Sequence, residues 1–321
     1  MKDSWIIFRR KKIRMSDPVN NGILNISKEA GYTSFDVVAV VRGIFRQKKV
    51  GHTGTLDPMA TGVLPVALGK ATKVCGMITD WDKEYIAELL LGRVTDTLDV
   101  TGTNEGGDPD KAMLLSGKQI ENAVMNYLGD VDQIPPMYSA LKMDGRRLYD
   151  IARSGGTVER KPRRVSIREI EILSIDLPAV KIRVLCSKGT YIRSLCDDIG
   201  RDLGCGGCMK SLVRSRVGPF DLAGAHSLDE LRQLADEGRR DELLSLVSPV
   251  DTVFGEHPPV TVTRDADRLL LNGNKLTAED MVSFAGCDKK QLFRVYHPDG
   301  EFAAVYVYDP GTGMFTPEKM F

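Results

Sequence analysis

The chain has 321 residues, enough for one large domain and a small second one. Its 44 basic residues balance 44 acidic ones, so no whole-molecule charge marks it as a binder of polyanions, although a neutral total is compatible with a local basic groove. No apolar run approaches the roughly 20 residues of a membrane span, and the basic run Arg9-Arg10-Lys11-Lys12 leads into no apolar segment of a secretory signal, so a cytoplasmic protein without membrane contact is expected.

In chain order, residues 1–20 read as a flexible N-terminal extension. Thr33 or Ser34 caps a helix reaching about Gln47, with Val37, Val38, Val41, Ile44 and Phe45 on one face. A polar loop, Gly51–Pro58, precedes the apolar run Val63–Leu68. Lys83–Leu91 is predicted as a strand followed by loops rich in Thr and Asp. Residues 118–128 read as a helix stopped by Gly129. From Arg164 to Val184 β-branched residues alternate, which predicts two strands joined near Asp176-Leu177-Pro178. Thr190 opens a helix with Ile192, Leu195, Cys196 and Ile199 on one face and Arg193 in its first turn. Ser227 and Glu230 have the spacing of a capping box. A boundary near Gly255-Glu256-His257-Pro258-Pro259 divides the chain into residues 21–254 and 255–321. Beyond it Leu292–Tyr296 and Ala303–Tyr308 form a strand pair joined by Pro298-Asp299-Gly300. From His257 onward there are 7 basic and 9 acidic residues, so this tail carries no excess of positive charge.

The six cysteines are scattered, and Cys205-Gly206-Gly207-Cys208 lacks the second pair that a zinc site needs. Small buried thiols are the expectation for them. The run Gly51-His52-Thr53-Gly54-Thr55-Leu56-Asp57-Pro58 is the most informative stretch. Pro58 pushes Asp57 out of helical backbone, and the glycines let the chain bend where a Cβ would clash. No Asp-x-Asp precedes Gly54-Thr55, which removes an aspartyl-phosphate nucleophile. No Gly-Lys-Ser/Thr opens a helix here, which removes a phosphate loop. One His and one Asp do not make a metal site. Taken alone, the loop is as consistent with an Asx-type turn as with a carboxylate presented to a cleft.

The wider pattern separates these readings. Asn21-Gly22-Ile23-Leu24-Asn25-Ile26-Ser27-Lys28 precedes the loop, and Ala60-Thr61-Gly62-Val63-Leu64-Pro65 follows it. Further on come Lys83-Glu84-Tyr85, then Gln133-Ile134-Pro135-Pro136-Met137-Tyr138-Ser139-Ala140-Leu141-Lys142 with Gly145-Arg146-Arg147, and Ser187-Lys188-Gly189-Thr190-Tyr191-Ile192-Arg193. In this order, over residues 21–250, the blocks resemble the bacterial TruB family of tRNA pseudouridine synthases. Two positions depart from the family pattern: Glu29 stands where proline is usual, and Cys208 where histidine is common. The Leu-x-Asn-Gly pattern at Leu270–Gly273 resembles a PUA-type β-barrel.

The resemblance implies an α+β pseudouridine synthase fold, a mixed and largely antiparallel sheet flanked by helices, with a small C-terminal PUA-like β-barrel. It implies isomerisation of the T-loop uridine of tRNA, uridine-55, by base flipping and attack from Asp57. Tyr85 then lies against the base and Arg193 pairs with the carboxylate. Whether Asp57 attacks the uracil ring or the sugar stays open, as does whether Tyr85 moves a proton or only stacks. Base and RNA contacts are implied at His52, Thr55, Lys28, Tyr191, Leu212 and Arg146. No redox change occurs, so no cofactor and no metal is expected. The partner expected is the tRNA T-stem loop, with no obligatory protein partner and a monomeric enzyme. An accessory tRNA-folding chaperone role is a further expectation. Alternatives are a chaperone that merely shares the scaffold, a guide-RNA-dependent synthase, and a carboxylate hydrolase using Asp96 or Asp99 as second acid. Basic-groove candidates are Arg46, Lys48, Lys49, Arg146, Arg147, Arg160, Lys161, Arg163, Arg164, Arg214 and Arg216.

Overall fold

A computed structural model describes residues 19–321, apart from 140 and 144. The expected N-terminal extension lies outside the described residues except for Val19 and Asn20, and the backbone N–H of Asn20 donates to Gln47 Oε1 at 3.0 Å.

A ten-stranded mixed sheet forms the centre of the molecule. Its main path runs Val247–Ser248, Gly22–Lys28, Thr61–Leu68, Gly207–Val217, Lys83–Leu91, Ala179–Cys186, Arg163–Asp176 and Gly129–Gln133, while Val50–His52 and Phe220–Asp221 pair at its sides. All pairings are antiparallel except that between Thr61–Leu68 and Gly207–Val217, which is parallel. The Lys83–Leu91 strand alternates as expected of a half-buried strand: Tyr85, Ala87 and Leu89 turn inward, while Glu84, Ile86, Glu88 and Leu90 are half exposed. The helices Gly117–Met125 and Ile192–Asp202 cover that inner face through Ile120, Val124, Leu195 and Ile199. The helices Ser34–Phe45 and Leu228–Asp236 cover the other half of the sheet through Val37, Val41 and Leu231.

Local signals set most element ends. Thr33 caps the Ser34–Phe45 helix in a full capping box with Asp36, and Arg46 ends it in the left-handed region at φ 51°. The helix expected over 118–128 spans Gly117–Met125, capped by Ser116 and Gln119. The helix expected from Thr190 begins at Ile192, because Tyr191 stays extended. One expectation is only half met. Ser227 accepts from the Glu230 N–H, but the Glu230 carboxylate turns to His226 Nδ1 at 3.1 Å instead of returning to the cap.

Residues 259–320 form a second sheet of five strands with a separate core around Leu270, Phe293, Tyr306 and Phe315. Its two edges approach one another at the Val262–Met281 bridge, which curls the sheet into a half-barrel. Val305 joins Val63, Ala67 and Phe254 in a shared apolar layer, which seats this unit on the back of the central sheet.

A transverse row of directly paired residues crosses the central sheet: Lys28 with Gly62, Gly62 with Arg214, Arg214 with Tyr85, and Tyr85 with Val184. Directly paired residues stand side by side on one face. Gly62 has φ +102°, and a Cβ there would run into the Arg214 backbone carbonyl. Gly62→Ala is therefore expected to cost about 3 kcal/mol or more, seen as a fall of at least about 6 °C in thermal midpoint. A midpoint equal to that of the parent protein would refute the close approach.

Candidate active site

The loop Thr53–Ala60 is the turn of a hairpin, since Val50–His52 pairs with Val66–Leu68. Thr53 and Leu56 are buried, while Thr55, Pro58 and Met59 are exposed. Side chains from four separate segments hold its backbone. Ser34 Oγ accepts from the Leu56 N–H at 2.9 Å. Thr79 Oγ1 donates to the Thr53 carbonyl at 3.0 Å. Lys28 Nζ donates to the Pro58 carbonyl at 3.0 Å, and Arg214 Nη2 to the Gly54 carbonyl at 3.2 Å. The loop closes with a bond from the Ala60 N–H to the Asp57 carbonyl at 3.1 Å. So fixed, it presents Asp57 in one direction.

Arg193 meets that carboxylate as a fork. Its Nε lies 2.9 Å from Oδ2, and its Nη2 donates to Oδ1 at 3.2 Å. The remaining donors go to the Thr97 carbonyl at 3.0 Å and the Tyr138 carbonyl at 2.8 Å, with Asp99 Oδ2 at 3.8 Å. Arg193 is 5% exposed. It starts a helix, where the dipole disfavours a cation, and the partners just named compensate. The Asp57 side chain is 37% exposed. One side of the carboxylate is bound and the other is open.

Tyr85 is 9% exposed and packs in the same core as Leu56, Ala60 and Leu212. Burial pushes its phenol above the ordinary tyrosine value, while the facing Arg214 cation pulls the other way. Leu212 is 8% exposed, two residues before Arg214 on the strand that pairs with the Tyr85 strand.

The other expected contacts divide into two groups. His52, Thr55, Tyr191 and Arg146 lie at least partly on the surface. His52 stacks edge-on against exposed Phe35, 5.2 Å between ring centroids, and its Nδ1 accepts from the Gly54 N–H at 3.3 Å. Burial lowers its pKa, with the Arg214 charge adding to the effect, so the ring is neutral and acts as an acceptor at Nδ1. Tyr191 is tied through its backbone to buried Gln133, which donates to its carbonyl at 3.0 Å and accepts its N–H at 2.7 Å. Arg146 is exposed on the small hairpin of Lys142–Met143 and Arg146–Arg147.

Lys28 and Arg214 are placed otherwise than expected. Lys28 is 1% exposed, and its ammonium donates to the carbonyls of Glu29, Tyr32 and Pro58 at 2.9, 2.7 and 3.0 Å. That leaves no surface for a phosphate, so Lys28 is a brace under the loop. Arg214, a groove candidate, is also 1% exposed, with Nε donating to the Val63 carbonyl at 2.7 Å. The exposed candidates Arg46, Lys48 and Lys49 remain on the surface beside the hairpin. Arg214 and Gln133 are the site residues that sequence reasoning left out of the site. The alternation Leu212-x-Arg214 in a buried strand was the available signal.

The mixed, largely antiparallel sheet flanked by helices is the pseudouridine synthase fold. A solved H/ACA ribonucleoprotein bound to a substrate RNA containing 2′-deoxyuridine has a chain that shares this fold, with TM-score 0.69 and 26% identity over 94% of this chain and 86% of that one. Residues 42–192 match the TruB family pseudouridylate synthase N-terminal domain, and residues 193–254 the tRNA pseudouridylate synthase B C-terminal domain. The tRNA pseudouridine synthase B of Lachnoclostridium phytofermentans is 44% identical over 94% of this chain and 99% of its own length. That of Clostridium kluyveri is 43% identical over 89% and 94%. The chain belongs to the TruB family and is a tRNA pseudouridine synthase, an isomerase.

Burial lowers the pKa of Lys28 to about 8, against an opposing pull from Asp57, and burial lowers Lys83 to about 8 as well. Both ammonium groups are charged at neutral pH and lose their protons as pH rises through 8. Side-chain NMR of 13Cε-labelled lysine is expected to show two resonances titrating near pH 8, assigned by Lys28→Met and Lys83→Met, with exposed lysines titrating above about 10. Titration of every lysine above pH 10 would refute the lowering by burial at both positions.

Proposed function

We propose that this enzyme converts the T-loop uridine of tRNA, uridine-55, to pseudouridine, with Asp57 as nucleophile. The observation that carries this reading is the Asp57–Arg193 fork, which binds one side of the carboxylate and leaves the other open. In the reaction uracil leaves the ribose through N1 and returns through C5. C5 loses a proton and N1 gains one, so no electrons are exchanged with a carrier. Asp57 forms a covalent bond to the nucleotide and is released when the C–C bond is made. Its open side is where that bond forms.

The base must leave the RNA stack to reach Asp57, at a cost of a few kcal/mol. His52, Phe35 and Met59 form the exposed rim beside the loop, with Phe35 63% and Met59 61% exposed. In this reading they meet the RNA around the extruded nucleotide. Thr55 and Tyr191 line the approach, and Arg146 with the lysines after Arg46 contacts phosphates. Leu212 and Tyr85 form the floor against the base. The half-barrel of residues 259–320 is PUA-like in this reading. A stand-alone enzyme acting on the T-stem loop fits these contacts, and a tRNA-folding role would use the same surface without Asp57.

Asp57→Asn is expected to bind an unmodified T-stem-loop transcript with unchanged affinity, while its single-turnover rate falls at least about 10⁴-fold. Product from this variant at a measurable fraction of the parent rate would remove Asp57 as nucleophile. His52→Ala is expected to weaken transcript binding about tenfold, because it removes the ring that packs against Phe35 at the rim. Unchanged affinity and rate would exclude that contact.

A further inference from the structure

Arg214 is a buried cation outside any ion pair among the described residues. Its carbonyl partners, Val63 and Gly54, belong to the strand and the loop that carry Asp57. Across the sheet it is paired directly with Tyr85, and the two side chains share one face. Isolating a guanidinium from carboxylates in the core is costly. Its charge reaches the other titratable groups packed around it, lowering Lys28, His52 and Lys83. The groups that act on Tyr85 are Arg214, Cys186 on the strand beyond it, and Asp57. A guanidinium has donors and no acceptor. In a contact between the two, the phenol oxygen can only be the acceptor, which leaves the phenolic proton pointing away from Arg214.

We propose that Arg214 is the positioning residue for Tyr85, holding it as a hydrogen-bond donor to the uracil and not as the base that takes the C5 proton. This rests on the reaction proposed above. Whether Asp57 attacks the ring or the sugar, the electron pair of the breaking N1–C1′ bond goes to uracil, and negative charge gathers on the uracil carbonyl oxygens. The Tyr85 proton meets that charge, and the Arg214 cation behind the phenol strengthens the bond without itself touching substrate. Arg214 is then a cation whose counter-charge arrives with the transition state.

Replacing Tyr85 by isosteric, more acidic 3,5-difluorotyrosine separates the two roles in single-turnover pH profiles on a T-stem-loop transcript. A donor gives a plateau at or above the parent rate that falls off at lower pH than in the parent. A base gives a rate that climbs with pH, with the climb moved to lower pH, and that outcome overturns the proposal, as does a profile indifferent to fluorination. Arg214→Met is expected to keep transcript affinity, to slow the plateau about tenfold to a hundredfold, and to move the falling limb to higher pH, with Arg214→Lys recovering part of the rate. A lower thermal midpoint with an unchanged profile overturns the positioning role. If Arg214→Met does not fold, the fluorotyrosine profile decides alone. A parent protein that forms no pseudouridine on the transcript would instead refute the proposed function.

Discussion

Everything at this site depends on cations buried beneath one hairpin loop. Lys28 and Arg214 are each 1% exposed and Arg193 5%. Charged groups taken out of water are tolerable only when their hydrogen-bonding capacity is filled. Here much of it is filled by main-chain carbonyls, and several of those belong to the loop itself or to the segments that carry it. The result is reciprocal. The cations require the loop in this shape, and they in turn fill the loop carbonyls of Gly54 and Pro58. Asp57 is the one anion that the loop contributes, and it meets Arg193, which arrives from the helix packed on the same inner face as Tyr85. Loop, strand and helix are thereby locked to one carboxylate position.

Sheet topology makes the arrangement possible. The single parallel pairing brings Gly207–Val217 against the strand that follows the loop, while its other edge pairs with the Tyr85 strand. One strand therefore touches both halves of the site, and Arg214 stands where they meet. Gly62 lies between Lys28 and Arg214 in the same row. Its backbone packs directly against that of Arg214, with no room for a Cβ, while the Arg214 guanidinium donates to the Gly54 and Val63 carbonyls.

Much of this was legible in the sequence, for physical reasons. The alternation of Lys83–Leu91, the Thr33 cap and the apolar face beginning at Ile192 are local signals, and the structure follows them to within a residue or two. The ordered motifs around Asp57, Tyr85 and Arg193 pointed to residues from three distant segments, and these segments converge on the hairpin loop. Lys28, expected as an RNA or base contact, and Arg214, expected in a basic groove, are both buried, which no local pattern announces because lysine and arginine are almost never fully buried unless paired. Their partners are carbonyls, which carry no residue identity. The Ser227–Glu230 spacing was legible as a cap, yet the pull of His226 on Glu230 depends on a strand bridge between Ile26 and His226 that no local pattern encodes.

The neutral total charge is resolved by where the acids lie. Glu84 and Glu88 occupy the outward face of the Tyr85 strand, opposite the catalytic side. There Arg183 bridges Glu84, Glu169 and Glu171, Arg216 adds a second bond to Glu84, and Lys210 pairs with Glu88. Further along, Arg164 pairs with Asp130 and Asp132. These carboxylates are neutralised by neighbours on the reverse of the sheet. On the loop side Asp57 is held by Arg193, while Lys28 and Arg214 find their hydrogen bonds on uncharged oxygens. The neutral total therefore hides a difference in kind: carboxylates on the reverse face are paired with exposed or half-exposed bases, whereas on the loop side two buried cations face uncharged oxygens.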